Sequence, residues 1–401
     1  MELVYGAEYE SFRREVRAFL EQAWQPLVGL PRQERRAAEA AFRQEAIRQG
    51  YLYRAIPTVF GGSEQAPDVM RGQIIREEFS RLRAPMEVPG VGVGMLVPTL
   101  LECGTPWQKE HFIPKTLTGE YLWAQGYSEP NAGSDLASVR TKGVLQGDEW
   151  IINGQKVWST LAQHARFMFA MVRTEPEAPK HQGLSYLLLD LKQPGVTVRP
   201  LKQVTGGQEF CEVFFDNART PADWIVGERG KGWQVSKTTL VHERNSFIGN
   251  ATTSQALFDK LVDLARSTSL NGGLAIDDPI IRERLLVLEG YVASHVYSSY
   301  RQFSMAAHGQ SPGIVASMNK LVSTQIGHEV AKLARDLMGD DLLLAPPPEG
   351  TRGAGPEKWN NQFFGSLGIA IAGGASNIQR NIIAERGLGL PRDASQEGGN
   401  P

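Results

Sequence analysis

Apolar positions in the first part of the chain recur at the spacing of a helix face. Phe12, Val16, Phe19 and Leu20 fall at i, i+4, i+7 and i+8, with Arg and Glu around the rest, so a helix is expected from about Ser11. Arg32–Arg48 is rich in Ala, Glu, Gln and Arg and is soon followed by Gly50, a helix and its stop. Residues 67–81 open with Pro and Asp and close with Arg, the polarity of helix ends. Residues 91–101 are apolar and carry glycines, as in a buried helix packed tightly against a neighbour, and Gly104-Thr-Pro-Trp-Gln-Lys-Glu110 opens a further helix. Residues 1–120 therefore read as an N-terminal helical domain.

The period changes near Gly119. Asp148-Glu-Trp-Ile-Ile-Asn-Gly-Gln-Lys-Val-Trp158 has β-type apolar runs on both sides of Asn153-Gly154, which predicts a hairpin turning at that dipeptide. Further short runs at 167–172, 184–191, 196–198 and 212–215 predict a small antiparallel β-barrel or sandwich over residues 121–229. Helical spacing returns near Gly230, passes through His242-Glu-Arg-Asn245 and continues to about Ser267. Asp278-Pro279 is an N-cap followed by Pro at the first helical position, opening a long helix to about Arg301. Ile326, Val330, Leu333 and Leu337 mark one face of the next helix, and 360–372 and 376–386 close the fold. Residues 341–357 read as a loop and 394–401 as a frayed tail. The expected class is α+β, with residues 230–401 forming a C-terminal four-helix bundle.

Composition narrows the function. With 401 residues, 41% hydrophobic, 21% charged and a formal net charge of −2, the chain reads as an ordinary globular protein without the basic excess of a nucleic-acid binder. Cys103 and Cys211 cannot build a disulfide framework and lack metal-ligand spacing, so no metal is expected and a reducing cytoplasm fits. The N-terminus shows no basic stretch leading into an apolar one, and no apolar run reaches the roughly 18 residues of a membrane span.

Two stretches stand out for chemistry. Gln125-Gly-Tyr-Ser-Glu-Pro-Asn-Ala-Gly-Ser-Asp135 combines short hydroxyls with small residues, where backbone N–H groups and hydroxyls can approach a polar ligand closely. Val157-Trp-Ser-Thr160 sets an indole beside two hydroxyls, suited to flanking a planar heterocycle. From spacing alone, the reading of a Gly/Ser/Pro turn and a core Trp is favoured over a ligand site.

Taken with Ile378-Gln-Arg-Asn-Ile-Ile-Ala-Glu-Arg386, these stretches resemble the acyl-CoA dehydrogenase family, in order, spacing and domain succession, over nearly the whole chain. The resemblance implies FAD as cofactor and oxidation of an acyl-CoA thioester to its trans-2-enoyl-CoA. It places Gln125, Tyr127, Ser128, Gly133 and Ser134 along the flavin and its pyrophosphate, with Ser134 also near the CoA. It places Trp158, Ser159 and Thr160 over the isoalloxazine, and Arg266, Ser376 and Asn377 among the remaining cofactor contacts. The chemistry requires a carboxylate to take the α-proton. Many relatives carry that Glu just before the Gly of the terminal motif, where this chain has Gly373. A branch resembling isovaleryl-CoA dehydrogenase takes its base from an earlier Glu-Arg pair, which implies Glu243 as base, Arg244 near the CoA and the Gly373 N–H as an oxyanion donor. Without the family, Glu243 and Arg244 would read as a common exposed Glu-Arg pair on a helix.

Some family elements are altered. The Arg-x-x-Phe-Gly element reads Arg266-Ser-Thr-Ser-Leu270, the Gln-x-x-Gly-Gly element reads Asp336-Leu-Met-Gly-Asp340, and Ala375 stands for a Thr. These changes fall on the intersubunit part of the cofactor site. The resemblance therefore implies either a homo-oligomer or a heteromer with a related subunit, as in steroid-degrading relatives. The alternative function is a non-catalytic or half-site subunit that completes its partner's site. Electron-transfer flavoprotein is the implied partner, an oxidase using O₂ shares the fold, and the acyl group is unspecified.

Overall fold

The computed structural model describes residues 6–25, 31–247, 251–308, 310, 313–343 and 357–391. The chain forms two compact units, one of residues 1–202 and 208–243, the other of residues 203–207 and 244–401.

The first unit begins with helices α1 (Ala7–Ala23), α2 (Arg32–Arg48) and α3 (Val69–Arg81). Phe12, Val16 and Leu20 of α1 are buried on one face as the spacing predicts. Asp68 caps α3 by accepting from the Arg71 N–H at 2.9 Å. Gly92–Leu96 is a π-helical turn leading into α4 (Val97–Cys103), so the expected single helix over 91–101 changes its winding midway. Gly92 sits there because a Cβ would lie 2.7 Å from the Trp123 ring. In α5 (Pro106–Leu117), Thr105 and Gln108 form a capping box and Pro106 takes the first turn.

Strands β1 (Trp123–Gly126), β2 (Lys142–Gln146), β3 (Glu149–Thr160), β4 (Phe167–Arg173), β5 (Leu184–Asp190), β6 (Val196–Pro200), β7 (Phe210–Pro221) and β8 (Ile225–Val226) make one sheet. The order is β6-β7-β3-β2-β4-β5-β8, with β1 attached to β4. Pairing is antiparallel except that β1 and one residue pair of β2 run parallel to β4. The hairpin expected at Asn153-Gly154 does not form there. β3 runs straight through the dipeptide, and its register against β7 shifts between Ile152 and Gly154, the mark of a bulge. A Cβ on Gly154 would lie 2.7 Å from Thr141, so glycine serves close packing. The turn joins β2 to β3 instead through Gly147-Asp148, with Gly147 at φ +64°.

Helix α6 (Gly232–Phe247) lies against β5: a Cβ on Gly232 would come within 2.4 Å of the Ser185 backbone. The second unit holds α7 (Ala251–Ser267), α8 (Pro279–Ala307), α9 (Val315–Met338), α10 (Glu357–Ile369) and α11 (Ser376–Ile382), the last continuing as a π turn through Ile383–Gly387. Asp278 caps α8 through the Ile280 and Ile281 N–H groups, and Ile326, Val330, Leu333 and Leu337 are buried together. The expected helix from His242 to Ser267 is α6 and α7, with 248–250 outside the described residues. Most of the expected 341–357 loop and the whole 394–401 tail also lie outside them.

Candidate active site

The loop after β1 is held by charge. Glu129 and Ala132 exchange backbone hydrogen bonds of 3.0 Å, closing a turn around Pro130-Asn131. The Glu129 carboxylate accepts from the Arg140 N–H at 2.6 Å, the Thr141 N–H at 2.9 Å and Lys156 Nζ at 2.8 Å. Lys156, fully buried on β3, also donates to the Tyr127 carbonyl at 3.1 Å. Burial pulls the lysine down to about 8, with the Glu129 carboxylate acting in the opposite sense. Burial also opposes the charge on Glu129, but the ammonium and the donated hydrogen bonds outweigh it and hold the carboxyl below its ordinary range. The Val157 N–H donates to the Ser128 carbonyl at 2.9 Å. The loop after β1 and the end of β3, each distinctive in sequence, are therefore neighbours.

A second irregularity lies further along β3. Register against β7 shifts again between Lys156 and Ser159, and Trp158 stands in the left-handed region at φ +61°. Such a conformation costs a non-glycine residue about 1–3 kcal/mol and is held only where the surroundings impose it. Its effect is to turn the indole outward, 59% exposed, with its edge contact to Phe210 at 5.9 Å. Thr160 is exposed too, whereas Ser159 points inward with a buried hydroxyl that has no hydrogen-bond partner. Gln125 and Ser128 are half-buried, Gly133 and Ser134 are exposed, and a Cβ on Gly133 would meet nothing within 4 Å. The strained, presented indole and the exposed Thr160 offer a surface suited to a flat ligand, while the orphaned Ser159 hydroxyl lies on the inner side of the strand and Gly133 leaves open space on the loop.

Helix α6 carries the carboxylate expected from the sequence, Glu243. Its Ser236 and Thr239 are fully buried, and Glu243, one helical turn beyond Thr239, shares that face and is half-buried. Thr239 Oγ1 lies 2.9 Å from Thr99 Oγ1 on α4 and donates toward the Tyr186 hydroxyl at 3.3 Å. The Tyr127 ring packs edge-on to Phe169 and Tyr186 with centroids at 6.0 and 6.2 Å. Burial first, then the neighbouring Tyr186 and the Glu243 carboxylate, push the Tyr127 phenol well above its ordinary range. Glu243 thus stands within electrostatic reach of a residue of the 125–135 stretch. On the same helix, His242 Nε2 lies 2.7 Å from the Glu102 carboxylate.

The other expected residues divide differently. Arg244 belongs to α6, but its side chain lies outside the described residues. Arg266 is exposed at the end of α7, 3.8 Å from Asp263. Gly373 has φ +60°, its carbonyl accepts from Gln379 Nε2 at 3.2 Å, and Ser376 N–H and Oγ both donate to the Ala370 carbonyl. Asn377 Oδ1 accepts from Arg380 at 3.1 Å. Sequence reasoning missed the Lys156–Glu129 pin and the hydroxyl cluster of Thr99, Tyr127, Tyr186 and Thr239. A four-residue spacing between Thr239 and Glu243 was the only local signal for the latter.

Among the described residues, no helix is long and apolar enough to cross a membrane, and no group of three or more His, Cys, Asp or Glu is placed to hold a metal ion. Three family models match in succession: "Acyl-CoA dehydrogenase, N-terminal domain" over residues 6–120, the middle domain over 124–218 and the C-terminal domain over 230–388. The chain is 40% identical over 397 residues to acyl-CoA dehydrogenase IpdE1 of Mycobacterium tuberculosis, covering 96% of this chain and 99% of that one. Among solved structures it is similar to a chain of the ChsE4-ChsE5 complex from M. tuberculosis, with 27% identity, TM-score 0.78 and coverage of 98% and 100%. A chain of the Tcur3481-Tcur3483 steroid ACAD matches with 27% identity, TM-score 0.79 and the same coverage.

Proposed function

The chain belongs to the acyl-CoA dehydrogenase family of flavin-dependent oxidoreductases, and we propose that it desaturates its acyl-CoA thioester with Glu243 as the base. One observation carries the assignment: Glu243 extends the buried face of α6 one turn beyond Thr239, which lies against Thr99 and Tyr186, while glycine occupies position 373. A half-buried carboxylate there loses its remaining water when substrate covers it, which raises its proton affinity toward that of a useful base. Removing the α-proton builds negative charge on the thioester oxygen, for which the Gly373 N–H is the proposed donor. Arg244 and Ser134 are assigned to the CoA.

The cofactor is assigned as FAD. Trp158, Ser159 and Thr160 would cover one side of the ring system, and Gln125, Tyr127, Ser128, Gly133 and Ser134 would line the flavin and pyrophosphate. The orphaned Ser159 hydroxyl and the open Gly133 support that fit. Ser376 and Asn377 would complete the site, and Arg266 would reach a neighbouring subunit's FAD. When bound, the flavin supplies the acceptor for the hydride leaving Cβ. Electrons then pass to an electron-transfer flavoprotein, in the cytoplasm, in the degradation of a fatty acid or a steroid side chain.

A second reading concerns assembly. The altered Arg266 and Asp336 elements favour a heteromer with a related subunit, and the two solved relatives above bear two-component names, ChsE4-ChsE5 and Tcur3481-Tcur3483. Purified protein, alone and co-expressed with its genomic neighbours, is incubated anaerobically with acyl-CoA esters and the products are weighed by mass spectrometry. A product lighter by two hydrogens supports desaturation. Its absence under both conditions removes the reading, a flavin-saturated active homo-oligomer removes the heteromer, and stoichiometric peroxide in air redirects the assignment to an oxidase.

A further inference from the structure

Lys320 is a buried cation without a counter-charge. It lies on α9 with 2% of its surface exposed, and among the described residues no carboxylate pairs with it. Burial pulls its ammonium below the ordinary lysine range. Its Nζ donates at 3.4 Å to the Ala370 carbonyl, just past the end of α10. A methionine would fill the same interior without the cost of burying an amine, so filling space does not explain the residue.

The Ala370 carbonyl anchors a turn. Ser376 donates to it twice, from N–H at 3.0 Å and from Oγ at 3.2 Å, so residues 370–376 close on themselves. Inside the turn Gly373 and Gly374 follow one another at φ +60° and +90°, a pair that glycine adopts freely and leaves as freely. Gln379, 3% exposed, braces the other side: its Nε2 donates to the Gly373 carbonyl at 3.2 Å, and a Cβ on Gly374 would lie 2.5 Å from that nitrogen. Among the described residues the Gly373 N–H donates to no protein acceptor. The braces therefore fix the turn and leave that one donor open.

We propose that Lys320 is a positioning residue for the oxidation: by holding the Ala370 carbonyl it fixes the turn that presents the Gly373 N–H to the thioester oxygen. The inference rests on the reading of that N–H as the oxyanion donor. A donor acts on developing charge only if it is already in place, so a loosened turn weakens the transition state more than the bound ester. A cation at a helix C-terminus also stabilises the helix, and the test separates that role from placement.

Flavin-loaded Glu243→Gln protein, in the oligomer with which it purifies, is given an acyl-CoA labelled with carbon-13 at the thioester carbonyl, and the infrared stretch of that carbonyl is compared with the free ester. Binding is expected to lower it, and Lys320→Met in the same background should abolish about half of the displacement. With Glu243 intact, Lys320→Met should lower kcat about 10-fold and change KM less than about 2-fold. Lys320→Leu is the second variant should the first fold poorly. Leu333→Val, a buried change on the same helix, lowers thermal stability and should leave both readings in place. Either reading left whole by Lys320→Met, or lost equally in Leu333→Val, overturns the proposal and spares the Gly373 assignment. A stretch that does not move on binding with Lys320 present overturns the Gly373 assignment and the proposal with it. Should Glu243→Gln still oxidise its ester, the base assignment fails, and a 2,2-dimethyl ester, which has no α-proton, carries the same reading.

Discussion

Replacing Lys156 by Met tests the charge pin under the candidate flavin loop. The ammonium is fully buried and 2.8 Å from Glu129, whose side chain is 9% exposed. Lys156→Met keeps the length of the side chain but leaves that carboxylate with only the Arg140 and Thr141 N–H groups. Breaking one side of a buried pair costs about 3–5 kcal/mol. The reciprocal change, Glu129→Gln, leaves Lys156 buried without its counter-charge and should cost a similar amount, about 3–5 kcal/mol near neutral pH. This loss shrinks as pH rises, because the lysine sheds its proton. The pH dependence separates the two. In wild type the lysine is lowered from 10.5 to about 8, so between these values the unfolded chain holds a proton that the folded chain lacks, and stability rises with pH. Removing Glu129 takes away the charge and hydrogen bond that raise Lys156, so in Glu129→Gln the rise should begin at lower pH. Guanidinium unfolding followed by Trp fluorescence, at several pH values, measures both effects. A loss below about 1 kcal/mol for Lys156→Met, or a Glu129→Gln deficit that does not narrow as pH rises, would refute the reasoning.

Trp158→Gly relieves a left-handed backbone, so the flavin-free protein should gain up to about 1 kcal/mol in thermal unfolding while flavin retention on gel filtration falls. Gly232→Ala forces a Cβ into the Ser185 backbone and should cost about 1–3 kcal/mol or more in denaturant unfolding. Glu78 is almost fully buried, and burial alone would raise it. Hydrogen bonds from Arg17, Arg13 and Arg81 instead hold it at about 2. Its contribution is complete above the ordinary carboxylate value and disappears as pH falls toward 2, so Glu78→Gln should lower stability at neutral pH and flatten the acid limb of a pH-stability curve.

The helices were legible wherever their signals are local. Thr105 with Gln108, Asp68 and Asp278 mark starts that depend on neighbours within a turn. The Asn153-Gly154 misreading shows the opposite case. A local turn preference lost to strand pairing, because Asn153 and Asn217 bridge β3 to β7 and Gly154 makes room for Thr141. The motif residues themselves stood out in the sequence, but how they act did not. Lys156 read as one more position in a β run, since nothing nearby announces its partner 27 residues earlier. The outward turn of Trp158 comes from a bulge set by β7, and the burial of Tyr127 comes from strands and a helix far along the chain. Long-range pairing decides each.

The central claim is that Glu243 takes the α-proton. Wild type and Glu243→Gln, both flavin-loaded, are mixed anaerobically with an acyl-CoA that wild type oxidises, and flavin bleaching and α-deuterium uptake from heavy water are followed together. The account predicts that the variant binds the ester yet bleaches at least about 100-fold more slowly and takes up no α-deuterium. Bleaching or exchange at the wild-type rate in Glu243→Gln would contradict it.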